Sequence, residues 1–168
     1  MFLSKKEDAL TVEYLQQGHI IRPVADKNAL KWITDQIFDL SKHELGIGTT
    51  QVPSSYLNMI HEHVPLKELN DFRLKMINGI NAKSEFRKQY YLLACPYLEA
   101  LVGNELAMQQ RVNLSIQLPQ DDSSLLPVHA DTWSGDSPFE VVVWTPLVNC
   151  YGSKSMYLLP PEQNSKLE

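Results

Sequence analysis

Apolar residues recur along this chain at two different periods, and the change falls near residue 110. Before it the spacing is helical. Between Asp26 and Leu40, the side chains of Leu30, Ile33, Ile37 and Leu40 fall on one stripe, and Asp26 stands where a helix N-cap belongs. Pro53 opens a second helical stretch in which Tyr56, Leu57, Ile60 and Val64 recur at helical spacing. Residues 66–82 and 84–101 predict two further helices, the last interrupted at Pro96. The GIGTT stretch at 46–50 reads as a loop.

After residue 110 the period becomes two. Val112, Leu114, Ile116 and Leu118 alternate with Arg111, Asn113, Ser115 and Gln117, which predicts a strand ended by Pro119. PFEVVVWTPLVN (138–149) is rich in β-branched and aromatic residues and predicts a second strand, which Pro146 bends or ends. KSMYLLPP (154–161) predicts a third. Helices first and strands afterwards imply an α+β class, here as a single domain over 1–168 with a mainly helical part at 1–110 and strands at 111–168. The polar row of the first strand has two readings: it faces water, or it lines a barrel interior.

Composition narrows the function classes. Hydrophobic residues make up 43% of the 168, enough for a substantial core. A formal net charge of −5 with no basic cluster argues against a nucleic-acid partner. No apolar run reaches the roughly 18 residues a membrane span needs. The first residues lack the apolar centre of a secretory signal. Cys95 and Cys150 stand far apart with no metal-ligand spacing, so buried free thiols in a reducing cytoplasm are expected.

Candidate chemistry concentrates in QLPQDDSSLLPVHADTWSGDSPFEVVVWTPL. His129 and Asp131 are two apart, so in extended backbone both side chains leave on the same side and can converge on one ion. Imidazole nitrogen with carboxylate oxygen suits Fe(II), as in the two-histidine, one-carboxylate triad that leaves coordination positions open. A turn capped by Asp131 beside a solvated His129 is the plain alternative.

The run LSIQLPQDDSSLLPVHADTWSGDSPFEVVVWTPLVNCYGSKSMYLLP resembles the Fe(II)/2-oxoglutarate-dependent oxygenases of sporadic carbohydrate-biosynthesis clusters (StrG-like, and more remotely phytanoyl-CoA dioxygenase-like). The likeness is dense over 111–160 and thinner before it. It implies a double-stranded β-helix, or jelly-roll, core with helices packed outside. It implies His129 and Asp131 as iron ligands and 2-oxoglutarate as cosubstrate. The substrate would be a sugar, a nucleotide-sugar or a sugar-bearing intermediate, with hydroxylation as the default outcome. On that reading Arg111 and Gln117 are candidates to contact 2-oxoglutarate, and Trp133 to stack on a sugar ring. Trp144 is expected in the core.

The sequence departs from the family pattern downstream. The pattern calls for a second histidine and then an arginine for the 2-oxoglutarate carboxylate, but no histidine follows His129; His19, His43, His61 and His63 all lie in the helical half. Room for three or four strands, against the eight of a closed roll, implies a C-terminally incomplete barrel. Its exposed edges would be covered by homodimerisation or by the N-terminal helices. The competing expectation is a cupin-like, carbohydrate-binding jelly roll without redox activity.

Overall fold

The structure, a computed structural model, describes residues 4–122 and 125–166, the last three as backbone only. Among the described residues, six α-helices form the body: α1 (Lys5–Gln17), α2 (Lys27–Leu45), α3 (Pro53–Asn58), α4 (Leu69–Asn81), α5 (Phe86–Leu92) and α6 (Cys95–Val102). No β-strand is present among the described residues, so the expected α+β class and its jelly-roll, or double-stranded β-helix, core are corrected to an all-helical architecture.

The longest helix, α2, is the axis of the molecule. The Asp26 carboxylate accepts from the Asn28 and Ala29 N–H groups at 2.8 and 3.0 Å and caps its start, while Gly46, at φ 64°, closes its end in the left-handed conformation. Its stripe of Ala29, Ile33 and Ile37 is almost wholly buried against Leu69, Phe72, Met76 and Ile80 of α4 and Phe86 of α5. Burying each such side chain stabilises by about 1.5–3 kcal/mol. Phe38 meets the Tyr56 ring edge-on at 5.1 Å, which fastens α3 to the same axis. The helix start at Pro53 and the break between α5 and α6 fall close to the positions that sequence spacing predicts. The break itself lies at Leu93–Ala94, with Pro96 inside the first turn of α6, where its missing N–H costs nothing.

The N-terminal helix α1 is unassigned by the sequence reading. Ser4 and Glu7 cap it reciprocally: the Glu7 carboxylate accepts from the Ser4 N–H at 2.6 Å, and the Ser4 hydroxyl from the Glu7 N–H at 3.3 Å. It packs on α6 and on the 3-10 turn Pro161–Lys166. The strand predicted at 154–161 is instead irregular chain leading into that turn.

The segment 111–118 explains why alternation alone does not make a sheet. The burial pattern follows the predicted period: Val112 is buried and Leu114, Ile116 and Leu118 pack against the core, while Arg111, Asn113, Ser115 and Gln117 are exposed. Helix side chains, not a second strand, partner its backbone at Val112 and Ile116. Asn81 brackets Val112, its amide N–H donating to the carbonyl at 2.9 Å and its oxygen accepting from the N–H at 2.8 Å. Arg73 donates twice to the Ile116 carbonyl, Nε at 2.7 Å. Arg111 donates to Asn78 Oδ1 at 2.7 Å. A stretch held along α4 in this way is extended but unpaired, and a ladder requires a partner strand.

Residues 141–145 alternate likewise, with Val141, Val143 and Thr145 half-buried and Val142 and Trp144 exposed. Trp144 is 49% exposed, so the expectation that it belongs to the core is corrected. Asp121 closes a turn, its N–H donating to the Leu118 carbonyl at 3.3 Å, and is buried, with its carboxylate 3.6 Å from Arg73. Both cysteines are free, and both are half-buried where full burial was expected. No helix among the described residues is long and apolar enough to cross a membrane.

Candidate metal-binding pair

His129 and Asp131 lie in the irregular chain between the two extended segments, where a loop at 125–130 runs into the 3-10 turn Asp131–Ser134. Ala130 between them is extended, at φ −119° and ψ 139°, so the flanking side chains leave on one side. His129 Nε2 stands 3.6 Å from Asp131 Oδ1. On the far side of the ring, His129 Nδ1 lies 2.7 Å from the Pro127 carbonyl oxygen. A carbonyl can only accept, so Nδ1 carries the proton and donates. In the neutral ring Nε2 then carries the lone pair, 3.6 Å from the Asp131 carboxylate. Metal-ligating histidines use this outer hydrogen bond to fix tautomer and ring orientation.

The donors pass a simple fit test as a pair. Two ligands each about 2.1 Å from a shared ion stand at most about 4.2 Å apart, and 3.6 Å lies inside that limit. They do not make a complete site, because no group of three or more His, Cys, Asp or Glu side chains able to hold a metal occurs among the described residues. The two side chains are also about half exposed, as an ordinary surface ion pair would be.

The remaining predicted site residues are spread around this pair. Trp133 follows within the same 3-10 turn, and its side chain is 65% exposed. Arg111 and Gln117 share the outward row of the segment along α4, where Arg111 is engaged by Asn78. No hydrogen bond or ion pair joins either of them to His129 or Asp131 among the described residues. His61 is exposed in a 3-10 turn, and His63 stacks on Tyr56 with ring centres 5.2 Å apart. The turn geometry replaces the helix expected there. Sequence reasoning missed Arg73 and Asn81, the α4 side chains that hold the chain leading to the pair. Their signal was weak: polar residues inside a helical stretch ordinarily face water.

No family model, curated protein or solved structure matches the chain.

Proposed function

We propose that the chain serves an Fe(II)- and 2-oxoglutarate-dependent oxygenase acting on a sugar or sugar-bearing intermediate, with His129 and Asp131 as two of the iron ligands. The observation that carries this reading is the 3.6 Å approach of His129 Nε2 to Asp131 Oδ1 with Nδ1 committed to Pro127. The resemblance of residues 111–160 supplies the choice of metal and cosubstrate. When bound, iron and 2-oxoglutarate supply the oxidant for hydroxylation at carbon.

The chain's own part is placement. Pro127 holds the imidazole in the tautomer that leaves Nε2 free to ligate. Asp131 adds a negative oxygen donor, which suits a divalent cation of borderline softness. Trp133 offers an exposed aromatic face next to the pair, the kind of surface a sugar's C–H side packs against. Gln117 and the remaining guanidinium N–H groups of Arg111 are available donors on the segment that precedes the site. A third protein donor is required for a tight site, because ligand number sets affinity.

The test is anaerobic titration with Fe(II) followed by 2-oxoglutarate, watching for the weak visible charge-transfer absorption of a chelated complex. Removal of an outer partner of a metal ligand typically costs about 10–100-fold in affinity, so His129→Ala and Asp131→Ala are each expected to cost more. Equal metal affinity in the wild-type chain and both variants would leave the pair as a surface ion pair worth at most about 1 kcal/mol.

A further inference from the structure

The stretch from Val141 to Thr145 has an unpaired backbone edge and a matching apolar face, flanked by Glu140, whose N–H donates to the Ser137 carbonyl at 3.0 Å, and by Pro146, which has no N–H. No backbone–backbone hydrogen bond involves residues 141–148 among the described residues. Val142 and Trp144 point outward, 62% and 49% exposed. Residues 141–149 carry no charge, and 141–145 have neither the lysine nor the proline with which exposed edges are normally guarded.

We propose that two copies of this chain associate by antiparallel pairing of residues 141–145 about a twofold axis at Val143.

The register follows from one hydrogen bond. Tyr90 of α5 donates its hydroxyl to the Val143 carbonyl at 2.5 Å. In extended chain, the N–H and C=O of one residue leave by the same edge, and those of its neighbours by the opposite edge. The Val143 edge therefore faces α5, and the N–H and C=O groups of Val142 and Trp144 form the outer edge. With the axis at Val143, Val142 lies opposite the partner's Trp144 and exchanges both backbone hydrogen bonds with it. Val143 lies opposite the partner's Val143 as the pair without hydrogen bonds, which is where its occupied carbonyl requires it to be.

Side chains agree with that register. It creates two cross-strand pairs of an aromatic with a β-branched residue, a favourable combination. Glu140 falls opposite the partner's Pro146, so no like charges meet. Parallel in-register pairing would set Glu140 beside the partner's Glu140 instead. Because Tyr90 of α5 occupies the Val143 carbonyl on the inner edge, pairing uses the outer edge, and a twofold pairing of that edge closes as a dimer.

The experiment measures mass by light scattering across a concentration series, with sedimentation equilibrium for the dissociation constant. The wild-type chain is expected to be dimeric at tens of micromolar, a range set by ordinary affinities. Val142→Pro removes an N–H from the outer edge while leaving the residue apolar, and should raise the dissociation constant at least about tenfold, the equivalent of one good hydrogen bond. Leu15→Lys, at an exposed site on α1, should leave it unchanged. With Cys95 and Cys150 replaced by serine, a Val142→Cys/Trp144→Cys double variant should oxidise to a covalent dimer, because each new thiol faces its counterpart across the axis. This second readout does not depend on Val142→Pro folding. A monomer at all concentrations, an open-ended aggregate, or a dimer indifferent to Val142→Pro and not trapped by the cysteine pair would each overturn the proposal.

Discussion

At the scale of single residues, polar atoms inside the helical body determine several outcomes. Tyr56 is completely buried, and its hydroxyl has no hydrogen-bond partner among the described residues. An unpartnered buried hydroxyl costs about 1–3 kcal/mol. Tyr56→Phe keeps the edge-on contact with Phe38 and the stacking on His63, so urea unfolding should show unchanged or higher stability, by up to about 1 kcal/mol. Tyr90 is the opposite case, since its hydroxyl has a partner and must stay protonated to donate. Burial pushes the Tyr90 phenol above its ordinary value of 10.0. A raised folded value means that this contribution is complete below about pH 10 and is lost as pH climbs through the shifted value. Tyr90→Phe should therefore remove part of the alkaline loss of stability, as measured by urea midpoints on either side of pH 10.

Elements show what could be read from the sequence and what could not. The α2 stripe and its Asp26 cap were legible because burial and capping act within a few residues. The alternation at 111–118 was legible as well, and it sorts the side chains correctly into inward and outward rows. Pairing was not legible, because it depends on what lies alongside. Here Asn81 and Arg73 of α4 occupy the positions a neighbouring strand would take, and nothing local distinguishes them from solvated helix residues. For the candidate site, the two-residue spacing of His129 and Asp131 was visible, whereas the Pro127 carbonyl that selects the tautomer depends on loop geometry.

Two tests belong at this scale. Asn81→Ala removes both bonds to Val112, and loss of two partly buried hydrogen bonds should cost about 1–3 kcal/mol. Amide exchange should quicken at Val112 while α2 stays protected. Gly79 lies where α4 crosses α2, and a Cβ there would stand 2.5 Å from Leu40 Cδ2 and 3.2 Å from its Cγ. Alanine usually favours a helix over glycine by about 1 kcal/mol. The whole Leu40 side chain would have to move to admit it, however, so Gly79→Ala should lower stability by about 1 kcal/mol in net terms, as overpacking does.

The molecule as a whole is uneven. Its buried hydrophobic residues run from Leu10 to Val112, and none lies beyond among the described residues. After residue 120, large apolar side chains are exposed at Leu126, Val128, Phe139 and Tyr157, among others. Few buried contacts imply low local stability. Hydrogen exchange should accordingly find its slowest amides in α2 and α4 and near-immediate exchange through 125–160. Pairing of the 141–145 edges would slow exchange selectively at Val142 and Trp144, and dilution would reverse that protection.

Arg73 stands at the join between these two regimes. One guanidinium grips the Ile116 carbonyl and lies 3.6 Å from the buried Asp121 carboxylate, so a helix of the stable body anchors the backbone just before the loop that carries His129. An anchor of this kind works like a mooring. Cutting it leaves the ship intact but lets it drift, and Arg73→Met would loosen the placement of the imidazole from a helix well upstream of the loop.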